Sequence, residues 1–183
     1  EKAQMVIYAP MFRAANKVIF GCEYQKNLWV ERYRLNESAC SYIHNGIDVN
    51  KFVPTDNNIM TVGLRQDLGL MADDFIVGMV ANFWPVKRHS ELVEAVARLN
   101  KEGLSVKMVF AGEGALMENV KEDVRQRGLE DQAHFLGQVQ DVRPALAAMD
   151  VFVLSSKSET FSNAALEAMA MARPVVLSDV GGA

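Results

Sequence analysis

From Phe75 to Asp179 the chain alternates apolar runs with stretches of helical period, and few folds accept that pattern. FIVGMVANF (75–83), VKMVFAG (106–112), AHFLG (133–137), VFVLSS (151–156) and PVVLSD (174–179) read as strands covered on both faces. Between the first two lies RHSELVEAVARLNKEG, with Leu92, Val96 and Leu99 at helical spacing and Gly103 placed to end the helix. MENVKEDVRQRG repeats the period through Met117, Val120 and Val124 and closes on Gly128. DVRPALAAM opens on Asp141 as an expected N-cap with Pro144 in its first turn, and SNAALEAMAMA reads as the last helix. Strands separated by helices of this length require right-handed crossovers and a parallel sheet. The expected fold is a Rossmann-like α/β domain, a parallel sheet flanked by helices.

The first third is different. KVIFGC (17–22) and ACSYIHNG (39–46) look like two strands around a helix, EYQKNLWVERY. Residues 1–47 are too few to bury a core alone and read as the end of an N-terminal domain. The irregular DVNKFVPTDNN, 48–58, reads as an inter-domain linker, and MTVGLRQDLG as a short helix closed by Gly69. Residues 59–183 then form the Rossmann-like domain. It is expected to be incomplete at its C-terminus, because LSDVGGA stops directly after a strand.

Composition narrows the function. Half the residues are hydrophobic and 23% are charged, which excludes disorder as a whole-chain state. With a net charge of −4 and no basic tract beyond VKRH, a nucleic-acid surface is not expected. No run approaches the roughly 18 apolar residues of a membrane span. The opening EKAQMVIYAP lacks the features of a signal peptide. Cys22 and Cys40 are not in metal spacing and suit a reducing compartment, so the expectation is cytoplasmic.

Ligands of open parallel sheets bind beyond the carboxyl ends of the strands, so the chemistry should collect there. After the first strand come Asn82, Lys87, Arg88 and His89, which on local sequence alone read as a solvated cationic turn. After the second comes AGEGA. A dinucleotide-binding G-x-G-x-x-G would need a third glycine where Met117 stands, so a tight strand-to-helix turn explains it better. After the fourth comes SSKSETFSNAALEA. Here Ser162 or Asn163 can cap the helix, leaving N–H groups that suit a phosphate. Glu159 precedes that helix and Glu167 stands on its second turn. Either carboxylate could be solvated surface, but Glu167 sits among Leu166, Met169 and Ala170, an expensive place for a charge without a partner. Ala164 and Ala168 beside it would let a ligand come close. His134 reads as a core or edge residue, and His44 as part of a turn, since Asn45-Gly46 favours left-handed backbone. No G-x-S-x-G elbow surrounds Ser155, Ser156 or Ser158, which argues against a hydrolase of that type.

Taken in order, NGIDVNKFVP (45–54), VGMVANFWPVKRH (77–89), FAGEG (110–114), HFLGQVQDV (134–142) and SETFSNAALEAMAMARPVVLSDVGG (158–182) resemble the retaining glycosyltransferase family four, glycosyl transferases group one. These are GT-B enzymes with two Rossmann-like domains and nucleotide-sugar donors. The resemblance implies that Glu159 lies by the donor sugar and that Glu167 binds the ribose hydroxyls. It implies that backbone N–H groups around Phe161, Ser162 and Asn163 hold the diphosphate, with Lys87 as the phosphate-binding lysine. Gly137 to Val139 match the backbone that lies against the base. Two departures stand out. Many relatives carry arginine at the position of Asn82 or of Trp84, so Arg88 either supplies the second cation or none does. His44 replaces a common proline.

By this resemblance Glu159 and Lys87 are the catalytic candidates. The donor is a nucleotide-diphosphate sugar, no cofactor or metal is expected, and the acceptor is a glycan or lipid-linked glycan. Membrane contact, if any, would be peripheral and made through the missing domain, and the 183-residue chain alone is expected to transfer no sugar. Three other readings compete: a glycoside hydrolase using paired carboxylates, a nucleotide-sugar epimerase, and a non-catalytic nucleotide-binding module. Hydrolysis without nucleotide, product analysis without acceptor, and transfer by the complete enzyme separate them.

Overall fold

The computed structural model of the protein describes residues 2–54 and 59–182; positions 55–58, the end of the expected linker, lie outside the described residues. The chain divides into two compact units. One comprises residues 1–46, 158–162 and 179–183, the other 47–157 and 163–178.

The first unit is built on α1 (Lys2–Ala14), β1 (Val18–Phe20), α2 (Glu23–Tyr33) and β2 (Cys40–Tyr42). The strands are parallel, with Val18 opposite Cys40 and Phe20 opposite Tyr42. Helix α2 covers the segment read as helical; the Cys22 Sγ accepts the Gln25 N–H at its start, and Arg34 turns left-handed at its end. Helix α1 is not evident in the sequence, because Pro10 lies inside it and costs a backbone hydrogen bond. Tertiary contacts outweigh that cost. Phe12 meets Trp29 edge-on at 5.0 Å, and the Arg13 guanidinium donates to the Tyr33 carbonyl at 2.8 Å. The expected left-handed turn at Asn45-Gly46 is absent, since neither residue has positive φ. His44 instead stacks on Phe161, ring centroids 5.4 Å apart.

The second unit runs α3 (Ile59–Asp67), β3 (Phe75–Val80), α4 (His89–Lys101), β4 (Val106–Ala111), α5 (Met117–Gln126), β5 (Ala133–Phe135), α6 (Arg143–Ala148), β6 (Val151–Leu154), α7 (Asn163–Ala170) and β7 (Val175–Leu177). All five strands pair in parallel, in the order β5-β4-β3-β6-β7. This is the Rossmann-like sheet expected from the sequence, with strands shorter than the apolar runs because the last residues of each run enter the loops.

Ile76, Met79, Met108, Phe110, Leu146, Met149, Phe152 and Leu154 fill the core. Gly78 is part of that packing: a Cβ there would lie 2.3 Å from the Met149 Cε. Gly103 and Gly128 close α4 and α5 with positive φ, as their positions predict. The N-cap of α6 is Val142, not the expected Asp141, and its side chain makes no cap hydrogen bond; Asp141, one residue earlier, still accepts the Arg143 N–H at 3.0 Å. Arg65 fastens α3 to the sheet, donating to the Ala148 carbonyl and to the Asp150 carboxylate, which also accepts the Ile76 N–H at 2.7 Å. At the sheet edge, His134 is half-buried on β5, and burial lowers its pKa.

Candidate functional site

The strand order fixes where a crevice can form. From β3 the chain moves outward to β4 and β5, then returns to β6 on the other side of β3. The connections that leave β3 and β6 therefore diverge, and the space beyond their carboxyl ends is the topological switch point.

The loop after β3 is held by its neighbours rather than by its own turns. Ala81 N–H donates to the Ala111 carbonyl at 3.0 Å, Phe83 N–H to Glu113 at 2.8 Å, and Leu116 N–H to Phe83 at 3.1 Å. The two glycines of AGEGA permit this approach. Both have positive φ; a Cβ on Gly112 would sit 2.2 Å from the Ala81 carbonyl oxygen, and one on Gly114 2.7 Å from that of Phe83. The tight-turn reading holds, and the close backbone approach is the added reason for glycine. Gly112 N–H in turn donates to the Gly137 carbonyl at 2.8 Å, where Gly137 also has positive φ. Val139, half-buried, packs against the core two residues on.

Lys87 ends a 3-10 turn, Pro85–Lys87, and its N–H donates to the Trp84 carbonyl at 2.9 Å. The loop after β6 clamps this turn from the other side. Ser155 Oγ donates to the carbonyls of Lys87 and Arg88, at 3.2 and 2.9 Å, and Lys157 N–H donates to Val86 at 2.8 Å. The main chain bearing Lys87 is thus tied to both sides of the switch point. Arg88 is left-handed and exposed, and its guanidinium pairs with Glu91 at 2.7 Å. Asn82 is exposed, its carbonyl accepting the Trp84 N–H.

His89 does not belong to a solvated turn. It is 3% exposed and stacked on Phe83, and it hydrogen-bonds the Ala81 carbonyl. Burial foremost, with the Lys87 ammonium adding to it, pushes its pKa down to about 4. Its Nε2 has no hydrogen-bond partner. Local charge concealed this role, because an imidazole between Arg88 and Ser90 reads as polar until Phe83 is placed beneath it.

Asn163 is the exposed first residue of α7, and Glu167 follows one turn later, half-buried. Burial raises the Glu167 pKa and the Lys51 ammonium only partly offsets it. No hydrogen bond from a described residue reaches its carboxylate. Ala168, expected to make room for a ligand, is instead buried in the core, and Ala164 packs against it.

Glu159, Phe161 and Ser162 fall in the first unit. Glu159 and Phe161 are half-buried and Ser162 is buried. A pair of glycines to which the sequence reading gave no role shapes this segment. A Cβ on Gly182 would lie 2.4 Å from the Glu159 carbonyl oxygen, and one on Gly181 2.3 Å from the Tyr24 ring. Two consecutive glycines in the loop a few residues after a strand were the available signal. Among the described residues no group of three or more His, Cys, Asp or Glu could hold a metal ion, and no helix is long and apolar enough to cross a membrane.

A model of the family "Glycosyl transferases group 1" matches residues 74–183, most of the second unit. The chain belongs to this glycosyltransferase family. Among its relatives is the UDP-Gal:alpha-D-GlcNAc-diphosphoundecaprenol alpha-1,3-galactosyltransferase of Escherichia coli, 31% identical over 161 residues, covering 86% of this chain and 41% of that protein. Another is the N-acetyl-alpha-D-glucosaminyl L-malate synthase of Bacillus anthracis, 31% identical over 140 residues, 76% of this chain and 35% of that one. In fold the chain is similar to Anabaena Alr3699/HepE, solved in complex with UDP and glucose. The TM-score is 0.90 at 24% identity, covering 100% of this chain and 50% of that one. The glycosyltransferase chain described here therefore spans half or less of the length of these proteins.

Proposed function

We propose that the chain carries the nucleotide-sugar site of a retaining glycosyltransferase. The observation behind the reading is Glu167. A half-buried carboxylate with a raised pKa and no hydrogen bond to it from a described residue is costly to maintain without a partner. A pair of vicinal hydroxyls, as on a ribose, supplies two donors to it. Lys87, at the rim of the same sheet, and the N–H groups opening α7 at Asn163 are the proposed diphosphate partners. Lys87 is proposed to carry the phosphate role, with Asn82 as a neutral neighbour; Arg88 pairs with Glu91. The backbone from Gly137 to Val139 is proposed to face the base. Glu159 is proposed to orient the donor sugar, and the main chain of Phe161 and Ser162 to hold phosphate oxygens.

In this reading the nucleotide diphosphate leaves with growing negative charge. Lys87 and the backbone donors stabilise it electrostatically, which is usually the largest catalytic contribution. The carboxylate of Glu159 offsets positive charge building at the sugar's C1. Attack on the face the diphosphate leaves retains configuration, and no metal ion enters the proposal. HepE, solved with UDP and glucose, and the galactosyltransferase relative, whose name specifies UDP-Gal and a diphosphoundecaprenol-linked sugar, support a nucleotide-sugar donor and a glycan or lipid-linked acceptor. The proposed setting is cytoplasmic polysaccharide assembly.

Calorimetric titration with UDP, GDP and ADP, each beside its nucleoside, tests the site. One diphosphate should bind, and more tightly than its nucleoside. Failure of all three to bind would overturn the reading.

A further inference from the structure

Trp84 has no role in the site as described so far, yet its surroundings are unusual. Phe83, its neighbour in the chain, is 1% exposed, while Trp84 is 49% exposed. Among the described residues its ring takes part in none of the aromatic contacts of the second unit, which run among Phe83, His89, Phe110 and Phe135. The backbone beneath it is fixed on both sides: Phe83 N–H is bonded to Glu113, Trp84 N–H to Asn82, and the Trp84 carbonyl accepts the N–H of Lys87. The indole is therefore presented to solvent by a rigid loop, one hydrogen-bonded turn from the lysine assigned to phosphate. Ordering it for a ligand costs little conformational entropy, since two side-chain torsions are all that remain free.

The chemistry of the neighbouring group decides what it can hold. In a nucleotide sugar, the group bonded to the terminal phosphate is a sugar ring, and an acceptor sugar must also approach that ring's C1. A pyranose has one face rich in C–H groups, which carry partial positive charge, and the indole face carries the negative end of its quadrupole. We infer that Trp84 is a sugar-binding residue, its indole stacking on the C–H face of a hexose at the carboxyl-end rim of β3. This deepens the proposed function and rests on that reading. The hexose has two sources, the donor and the acceptor, and the test separates them.

The protein has two tryptophans, Trp29 and Trp84, so 5-fluorotryptophan labelling gives two fluorine resonances, assigned by Trp84→Phe. Each of UDP, GDP and ADP is titrated, then UDP-, GDP- and ADP-glucose, then methyl glucoside on the nucleotide-saturated protein. With the nucleotide that binds, the glucose conjugate should shift the Trp84 resonance beyond the shift from the diphosphate alone if the donor sugar is the occupant. A shift only on adding methyl glucoside assigns the acceptor sugar. Trp84→Ala should weaken the sugar-bearing ligand about tenfold while leaving the diphosphate within about twofold. Nucleotide binding with a Trp84 resonance blind to every conjugate and to methyl glucoside, or a Trp84→Ala loss for the sugar-bearing ligand that shifts the resonance no greater than that for the diphosphate, overturns the inference and leaves the nucleotide site standing. Absence of nucleotide binding by calorimetry overturns both.

Discussion

Phe83 and His89 lie face to face, ring centroids 4.0 Å apart and planes within 14°. Phe83 ends the backbone bridge from β3 to the AGEG segment, and His89 opens α4, so the stack closes the loop that carries Lys87 between them. The stack works with a neutral imidazole. Protonation would place a buried cation near the Lys87 ammonium, and both burial and that charge hold the His89 pKa at about 4.

Stability should therefore depend on pH in a defined window. The folded pKa is depressed below the ordinary 6.5, so between the two values the unfolded chain binds a proton that the folded chain refuses. The contribution is complete above pH 6.5 and is lost as pH falls toward 4, by up to about 3 kcal/mol. His134, lowered as well, acts in the same sense. Urea midpoints at pH 7 and pH 4.5 should separate more in the wild type than in His89→Phe, which keeps a ring on Phe83. Equal pH dependence in the two proteins would show that His89 is not held neutral by the fold.

The fold was legible because its signals are local and repeated. The apolar run at Phe75, the helical period through Leu92, Val96 and Leu99, and the closing Gly103 each state the same parallel α/β unit, and they recur. What escaped was whatever depends on a distant partner. Helix α1 is stabilised by contacts of Phe12 and Arg13 with α2, and its own sequence carries a proline. The burial of His89 depends on Phe83, and the glycines at 181 and 182 on the backbone at Glu159 and the ring of Tyr24. Lys87 and Glu167 could be placed after strands that the pattern reveals. The engagement of Arg88 by Glu91 could have been suspected from their i, i+3 spacing at a helix start.

Gly114→Ala should damage the Lys87 loop from a distance. Its φ of 152° disfavours a side chain, and the added methyl would press on the Phe83 carbonyl and amide, at 2.7 and 2.8 Å. That is backbone, which cannot rotate away. Overpacking of this kind costs about 1–3 kcal/mol. The variant should lose that stability and also weaken nucleotide diphosphate binding, although Gly114 is assigned no contact with the ligand. A full-strength diphosphate affinity in the folded variant would show that the loop does not depend on this approach.

Gly182→Ala makes the corresponding test within the first unit. The methyl would meet the Glu159 carbonyl oxygen at 2.4 Å and the Thr160 carbonyl at 2.6 Å, so segment 158–162 must shift. If Glu159 serves the donor sugar, the complete enzyme carrying this change should lose transfer rate at least tenfold, by the sensitivity of reactions to small misplacements. Its affinity for the free nucleotide diphosphate should change less. Unaltered transfer kinetics would argue that the segment's position is immaterial.

Lys87 and Glu167 should separate the parts of the ligand, and Glu167 should also reveal what the site costs the fold. Lys87→Ala should weaken the nucleotide diphosphate far more than the nucleoside, because its proposed partner is phosphate. Glu167→Gln should weaken both, because its proposed partner is ribose. A lost charge-assisted hydrogen bond is worth about 1.5–3 kcal/mol, roughly ten- to a hundredfold in affinity. The stability effect of Glu167→Gln runs the other way. Burial raises the folded pKa above the ordinary value, so the carboxyl favours folding when protonated and that contribution is lost as pH rises through the folded pKa. At pH 7 the ionised side chain is therefore a burden, and glutamine should make the empty protein more stable. The advantage should shrink below about pH 4.5, where the wild-type carboxyl is neutral as well. A residue that lowers the stability of the empty protein and raises the affinity of the occupied one marks a binding site and not a packing position. Denaturant midpoints at pH 7 and pH 4, set beside the two titrations, measure both effects. A Glu167→Gln protein that binds nucleoside as tightly as the wild type, whatever its stability, removes Glu167 from the site.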